Sequence, residues 1–251
     1  IKLVSQIYSA NIPKRIYVDN EEPIVPGDIY NMCRYKFEWI DISPKNKYYT
    51  SIDGIIYTAD KKTLVRCPVG RIGRVVIPDG VTAIGRDAFR FCNISEAVIP
   101  DSVTEVGAAA FADSHIEKLT FGKGMTYISK RMFRLCPSLK HIHIPSNIKE
   151  IMSSAFSSCK AMEDIVLDEG VERIGPDAFE ANTTNDIKIS LPSSVRMIES
   201  GALRNVKNVT LTNKIPSGFF TSLYTSDSGA DIHVNIGGKQ YVLPSQSRFQ
   251  E

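Results

Sequence analysis

The chain has 251 residues, 43% of them hydrophobic and 23% charged, with a formal net charge of +2. That is the balance of a folded globular protein with enough apolar material for a continuous core. The charge is too small to point to nucleic acid, and no stretch approaches the roughly 20 apolar residues needed to span a bilayer.

The N-terminal Ile1-Lys2-Leu3-Val4 lacks an initiator Met and a signal-peptide core, and reads as a trimmed piece of something longer. A hydrophobic pair twelve residues apart then recurs along the chain: Val18/Tyr30, Ile77/Phe89, Ile99/Phe111, Phe121/Phe133, Ile144/Phe156, Leu167/Phe179 and Leu191/Leu203. From Phe89 to Phe179 the Phe positions lie 22 or 23 residues apart. A period in that range marks a stacked solenoid, in which each unit buries its apolar face against its neighbours.

The first unit, Ile16 to Cys33, keeps the spacing with looser wording. After it, the alternating apolar run Pro44 to Tyr57 and the arm Thr63 to Pro68 flank a charged turn at Asp60-Lys61-Lys62, which predicts an inserted β-hairpin. In the regular units the segment before Ile77 alternates as a short strand, and prolines 78, 100, 145 and 192 end it. Asp79-Gly80 and Asp101-Ser102 supply turns. Inward apolar residues three apart follow, as in Val81/Ile84 and Val103/Val106, and Gly85, Gly107 and Gly175 are expected to allow a bend. The Ala-Phe after them suits one helical or 3₁₀ turn. Near the C-terminus, Ile232 to Leu243 reads as a hairpin around Gly237-Gly238, either a cap on the stack or the start of another domain.

Five cysteines cannot form a complete set of internal disulfides. Cys33, Cys92, Cys136 and Cys159 each follow the repeat aromatic by three residues, in a column that elsewhere holds Ser114, Asn182 and Val206. This fits a buried turn ladder better than a metal site, whose ligands must converge on a point. Cys67 lies outside the column and is expected to be a free, more accessible thiol.

The phrase Ile77-Pro78-x-x-Val81-x-x-Ile84-Gly85-x-x-Ala88-Phe89-x-x-Cys92 resembles the BspA-like, or treponemal-type, leucine-rich repeat, across roughly residues 14–223. The expected fold is an α/β leucine-rich-repeat solenoid of about eight or nine repeats. Its short strands stack into one parallel sheet, with short helical or 3₁₀ turns and a β-hairpin insertion. The expected divisions are a solenoid over 1–223 (N-terminal unit 1–43, insertion 44–73, regular repeats 74–223) and a C-terminal capping hairpin over 224–251. The resemblance implies a bacterial surface or secreted protein with adhesive or host-interaction roles.

Side chains alternate across a strand, so two columns should face solvent. One runs Tyr17, Asp41, Val76, Val98, Thr120, His143, Val166, Ser190 and Thr210. The other runs Arg15, Trp39, Arg74, Glu96, Lys118, His141, Asp164, Lys188 and Asn208. The candidate binding residues on this face are Arg15, Tyr17, Trp39, Asp41, Arg74, His141 and His143. Trp39, the only tryptophan, would neighbour Arg15, Tyr17 and Asp41, a combination typical of interface hot spots. The competing reading is that it packs beneath the insertion. His141 and His143 point the same way but lack a convincing third metal ligand. No nucleophile elbow, zinc-protease, phosphate-loop or dinucleotide motif occurs.

The expectation is a non-catalytic module without cofactor, metal or nucleic acid, recognising an extracellular protein through its sheet face. A structural spacer is one alternative. An intracellular or phage-encoded interaction module is another, favoured by the unpaired cysteines.

Overall fold

The structure, a computed structural model, describes residues 14–19, 21, 29, 35–180, 187–212, 214–219, 223 and 231–243. Tyr30, Cys33 and Asn182 lie outside the described residues. Strands β1 (Arg15–Val18) and β2 (Trp39–Ile42) pair in parallel, with Arg15 opposite Trp39 and Tyr17 opposite Asp41. The insertion follows as β3 (Tyr49–Ile52), β4 (Ile55–Thr58) and β5 (Thr63–Arg66), antiparallel in that order.

Long and two-residue strands then alternate: β6 (Ile72–Val76), β7 (Ala83–Ile84), β8 (Asn93–Val98), β9 (Glu105–Val106), β10 (Lys118–Thr120), β11 (Tyr127–Ile128) and β12 (His141–Ile144). The alternation continues as β13 (Glu150–Ile151), β14 (Asp164–Leu167), β15 (Arg173–Ile174), β16 (Lys188–Leu191), β17 (Met197–Ile198) and β18 (Asn208–Leu211). Finally β19 (Ile232–Ile236) pairs in parallel with β18, and β20 (Lys239–Leu243) returns antiparallel across Gly237-Gly238. The whole is a β-solenoid of about eight turns.

The insertion has one strand more than a single hairpin. Asp53 and Gly54 both take positive φ, 50° and 73°, and make the primed two-residue turn that suits the twist of paired strands. The apolar run continues through Ile52, Ile55 and Ile56, so the sequence hides the turn. Strand β4 is buried on both faces: Ile56 packs into a small N-terminal core, whereas Ile55 and Tyr57 join the main core.

The long strands do not form one uninterrupted sheet. They pair as β1-β2, as β6-β8-β10, and as β12-β14-β16-β18-β19-β20. At the first break the Ile40 N–H donates to the Gly54 carbonyl at 3.1 Å, so the insertion turn occupies hydrogen-bonding capacity of β2. The second break falls where the path lengthens: Phe111 to Phe121 spans 10 residues, but Phe133 to Ile144 spans 11. The two-residue strands line a second side in two parallel ladders, β7-β9, which β5 opens by pairing with β7, and β11-β13-β15-β17.

The third side contains turns, and almost no helix. Asp87, Ala109, Arg131, Ser154 and Asp177 have positive φ, as do Phe91, Asp113, Leu135 and Ser158 four residues beyond the first four of them. A right-handed helix cannot pass through such residues, and each costs about 1–2 kcal/mol without glycine. The return is a ladder: the N–H groups of Asp87, Phe89 and Phe91 donate to the carbonyls of Ala108, Ala110 and Ala112 in the next repeat. Gly107 serves close approach rather than a bend, because a Cβ there would lie 2.4 Å from the Arg86 nitrogen.

Inside these three sides the Phe rings stack face to face. Centroids lie 4.6 Å apart for Phe89–Phe111, 5.5 Å for Phe111–Phe133, 5.1 Å for Phe133–Phe156 and 5.2 Å for Phe156–Phe179. Cys67 is wholly buried, contrary to the expectation of an accessible thiol. Its N–H donates to Ala88 O as that of Phe89 does to Ala110 O, so Cys67 occupies the Phe position of the insertion repeat. The thiols of Cys92, Cys136 and Cys159 lie 3.5, 3.2 and 3.0 Å from the carbonyls of Cys67, Phe111 and Phe133. Burial pushes the Cys136 thiol well above its ordinary pKa, which keeps it a neutral donor.

Candidate functional site

Alternation along the long strands sorts the two faces. In β1, β12 and β16 every second residue is buried and the others are exposed. The ladder pairings align Arg74, Glu96 and Lys118 in one outward row, and His141, Asp164, Lys188, Asn208 and His233 in the next. The companion row carries Val76, Val98 and Thr120, then His143, Val166, Ser190, Thr210 and Asn235. His233 and Asn235 extend rows that the sequence reading ended at Asn208 and Thr210. The alternation of Ile232-His233-Val234-Asn235 matches that of the preceding strand and was the available signal.

At the N-terminal end, Arg15 grips Asp41 through Nε at 2.6 Å and Nη2 at 3.1 Å, and Trp39 Nε1 donates to the same carboxylate at 3.0 Å. The Arg15 hydrogen bonds hold the Asp41 carboxyl below the usual carboxylate range and raise the guanidinium in turn. Two guanidinium groups lie over the Trp39 ring, Arg15 at 5.1 Å and Arg71 at 5.0 Å, and Arg71 also pairs with Asp53. Gly54 is pressed against the ring, where a Cβ would come within 2.5 Å of Trp39 Cδ2. Trp39 is therefore half-buried, welding the insertion turn to β2 and to the start of β6. Arg71 was not singled out from sequence, because its contact crosses 32 residues. Beside the ring a cleft of about 260 Å³ is lined by Lys14, Arg15, Glu38, Trp39, Arg71 and Ile72.

Tyr17 stays 52% exposed on this face, and Val76 55%. Arg74 pairs with Glu96 at 3.2 Å. His141 and His143 are both exposed, far along the stack from Trp39. His143 Nε2 lies 2.8 Å from Asp168 Oδ1, and His141 Nε2 lies 3.9 Å from Glu163 Oε2. The structure thus brings Arg15, Tyr17, Trp39 and Asp41 together, and leaves Arg74 and the two histidines as separate points on the same face. Among the described residues no three His, Cys, Asp or Glu side chains converge as metal ligands.

Residues 69–186 match the BspA type leucine rich repeat region, in six copies. The chain carries a BspA-type leucine-rich-repeat region. Solved structures of bacterial leucine-rich-repeat proteins share its fold. A leucine rich cell surface protein from Faecalibacterium prausnitzii is 26% identical, over 77% of this chain and 46% of that one, with a TM-score of 0.56. The pneumococcal vaccine antigen PcpA is 15% identical, over 80% and 50%, with a TM-score of 0.64. A leucine-rich repeat protein from Eubacterium ventriosum is 21% identical, over 81% and 60%, with a TM-score of 0.55. The chain spans about half the length of the first two. Among curated proteins, none matches it. Within the described residues, no helix is long and apolar enough to cross a membrane.

Proposed function

We propose that the outward face of the long-strand stack is a protein-binding surface, and that the chain acts without catalysis in adhesion or host recognition by a bacterial surface or secreted protein. The observation that carries this reading is that each of the three long-strand ladders exposes an apolar side chain on the outward face. Tyr17, Val76 and Val166 stand 52%, 55% and 41% exposed on strands whose inward residues pack into or against the core. Exposed apolar side chains on a broad, rigid surface are what a protein partner can bury. Arg15, Trp39 and Asp41 form a pre-ordered platform beside Tyr17, which lowers the cost of ordering on binding. Arg74, His141 and His143 supply polar contacts farther along. The description of the Faecalibacterium relative as a cell surface protein supports the location.

The test is retention of the purified chain on intact epithelial cells and on immobilised extracellular-matrix protein. A Tyr17→Ala/Val76→Asp variant should lose at least tenfold in retention, while Arg134→Ala on the turn side should behave as wild type. Equal retention of all three proteins would refute the assignment.

A further inference from the structure

The C-terminal part of the same face differs in chemistry from the rest. A groove of about 430 Å³ crosses β14, β16, β18, β19 and β20, with Val209 and Val234 among its lining residues. Its polar groups are Asp164, Lys188, Ser190, Asn208, Thr210, His233, Asn235 and Gln240, and Tyr241 and Val242 of β20 complete the lining. The volume falls within the range of small-ligand clefts.

Elsewhere on the face several polar side chains are engaged with one another, as in Arg15–Asp41, Arg74–Glu96 and His143–Asp168. In the groove fewer of the polar side chains are spent on one another. Asn235 Oδ1 accepts from the Gly238 N–H at 3.0 Å, which fixes that amide at the foot of the β19–β20 turn. Among the described residues, Ser190, Asn208, Thr210 and Gln240 have no side-chain hydrogen bond within the protein. Single cationic and anionic groups, Lys188 and Asp164, sit side by side and leave little net field.

We propose that this groove binds a neutral oligosaccharide. Amides and hydroxyls both donate and accept, which matches the dual character of sugar hydroxyls. Val242, 54% exposed and opposite the outward His233, offers apolar surface to the C–H face of a sugar ring, whereas Tyr241, opposite the buried Val234, belongs to the other face of β20. A nucleic acid would require a basic stripe, which one lysine and one histidine opposed by an aspartate do not provide. A protein hot spot would require aromatic or arginine anchors in a dry pocket, and the groove has no such centre. The site is distinct from the surface around Tyr17 and does not depend on it.

The test uses the fluorescently labelled full chain on an array of neutral, sialylated and sulfated oligosaccharides. Neutral glycans should be retained, and an Asn208→Ala/Gln240→Ala variant should lose at least tenfold. A Tyr17→Ala/Val76→Asp variant should keep the signal, and matching thermal unfolding midpoints would show that the loss is not unfolding. Absence of retained neutral glycan would overturn the proposal. So would retention confined to sulfated or sialylated glycans and lost in Lys188→Ala, or full retention by Asn208→Ala/Gln240→Ala. Loss of a defined protein ligand by that variant, with no glycan bound, would reassign the groove to protein contact.

Discussion

Phe133 sits at the middle of the ring stack, wholly buried between Phe111 at 5.5 Å and Phe156 at 5.1 Å, with Phe121 edge-on at 6.4 Å. Truncation of a buried Phe to Ala costs about 3–5 kcal/mol through lost transfer energy and an unfilled cavity. Each aromatic contact adds roughly 0.5–1.5 kcal/mol, so Phe133→Ala belongs near the upper end, at about 4–5 kcal/mol. Phe133→Leu keeps most of the burial and loses the ring pairs, which places it at about 1–3 kcal/mol. Urea unfolding measures both values. The distribution of the damage is the sharper test. The Phe111 N–H bonds to Met132 O, and the Phe133 N–H to Ala155 O. In a nearest-neighbour stack these amides should lose hydrogen-exchange protection first, and those in β16 and β18 should lose far less. A cost below about 2 kcal/mol, or protection falling equally along the whole chain, would refute the reasoning.

Gly54→Ala meets both a positive φ and the Trp39 ring, and should cost about 1–3 kcal/mol and shift the emission of the only tryptophan. Gly80→Ala, with the same strain but nothing within 4 Å, should leave that emission unchanged. Under native conditions a thiol reagent should label Cys67, Cys92, Cys136 and Cys159 only as the chain unfolds, since all four are buried; mass mapping of two or more fast sites among them would contradict the fold. The Asp41 carboxyl has a lowered folded pKa, so its contribution is complete above the unfolded value of about 3.9 and is lost as the pH falls through the folded one. The stability gap between wild type and Asp41→Asn should therefore be widest near neutrality and close in acid, and a gap independent of pH would refute the Arg15–Asp41 pairing.

Trp39 shows why the candidate site was only partly legible. Its strand register with Arg15 and Asp41 follows from the repeat spacing, because parallel strands one turn apart place equivalent positions side by side. Its contacts with Gly54 and Arg71 do not follow, since they arise where an insertion turn meets the coil. Cys67 makes the same point inside the core. With no Phe and no Ala-Phe wording around it, it reads as an outlier, yet its backbone bonds put it in the Phe column.

The repeat, the inward and outward rows of the long strands and the hairpin around Gly237-Gly238 are legible in the residues alone, because they depend on local alternation and on a period that the chain repeats. Tertiary structure alone decided the breaks in the sheet, the two ladders of two-residue strands and the left-handed turns in place of helix. Each of those is written in hydrogen bonds between neighbouring coils, where a residue's conformation is set by the carbonyl it meets about 22 residues away. The contrast between a charge-paired N-terminal face and a C-terminal groove with unspent amides arises in the same way, from which side chains the stacking brings within reach.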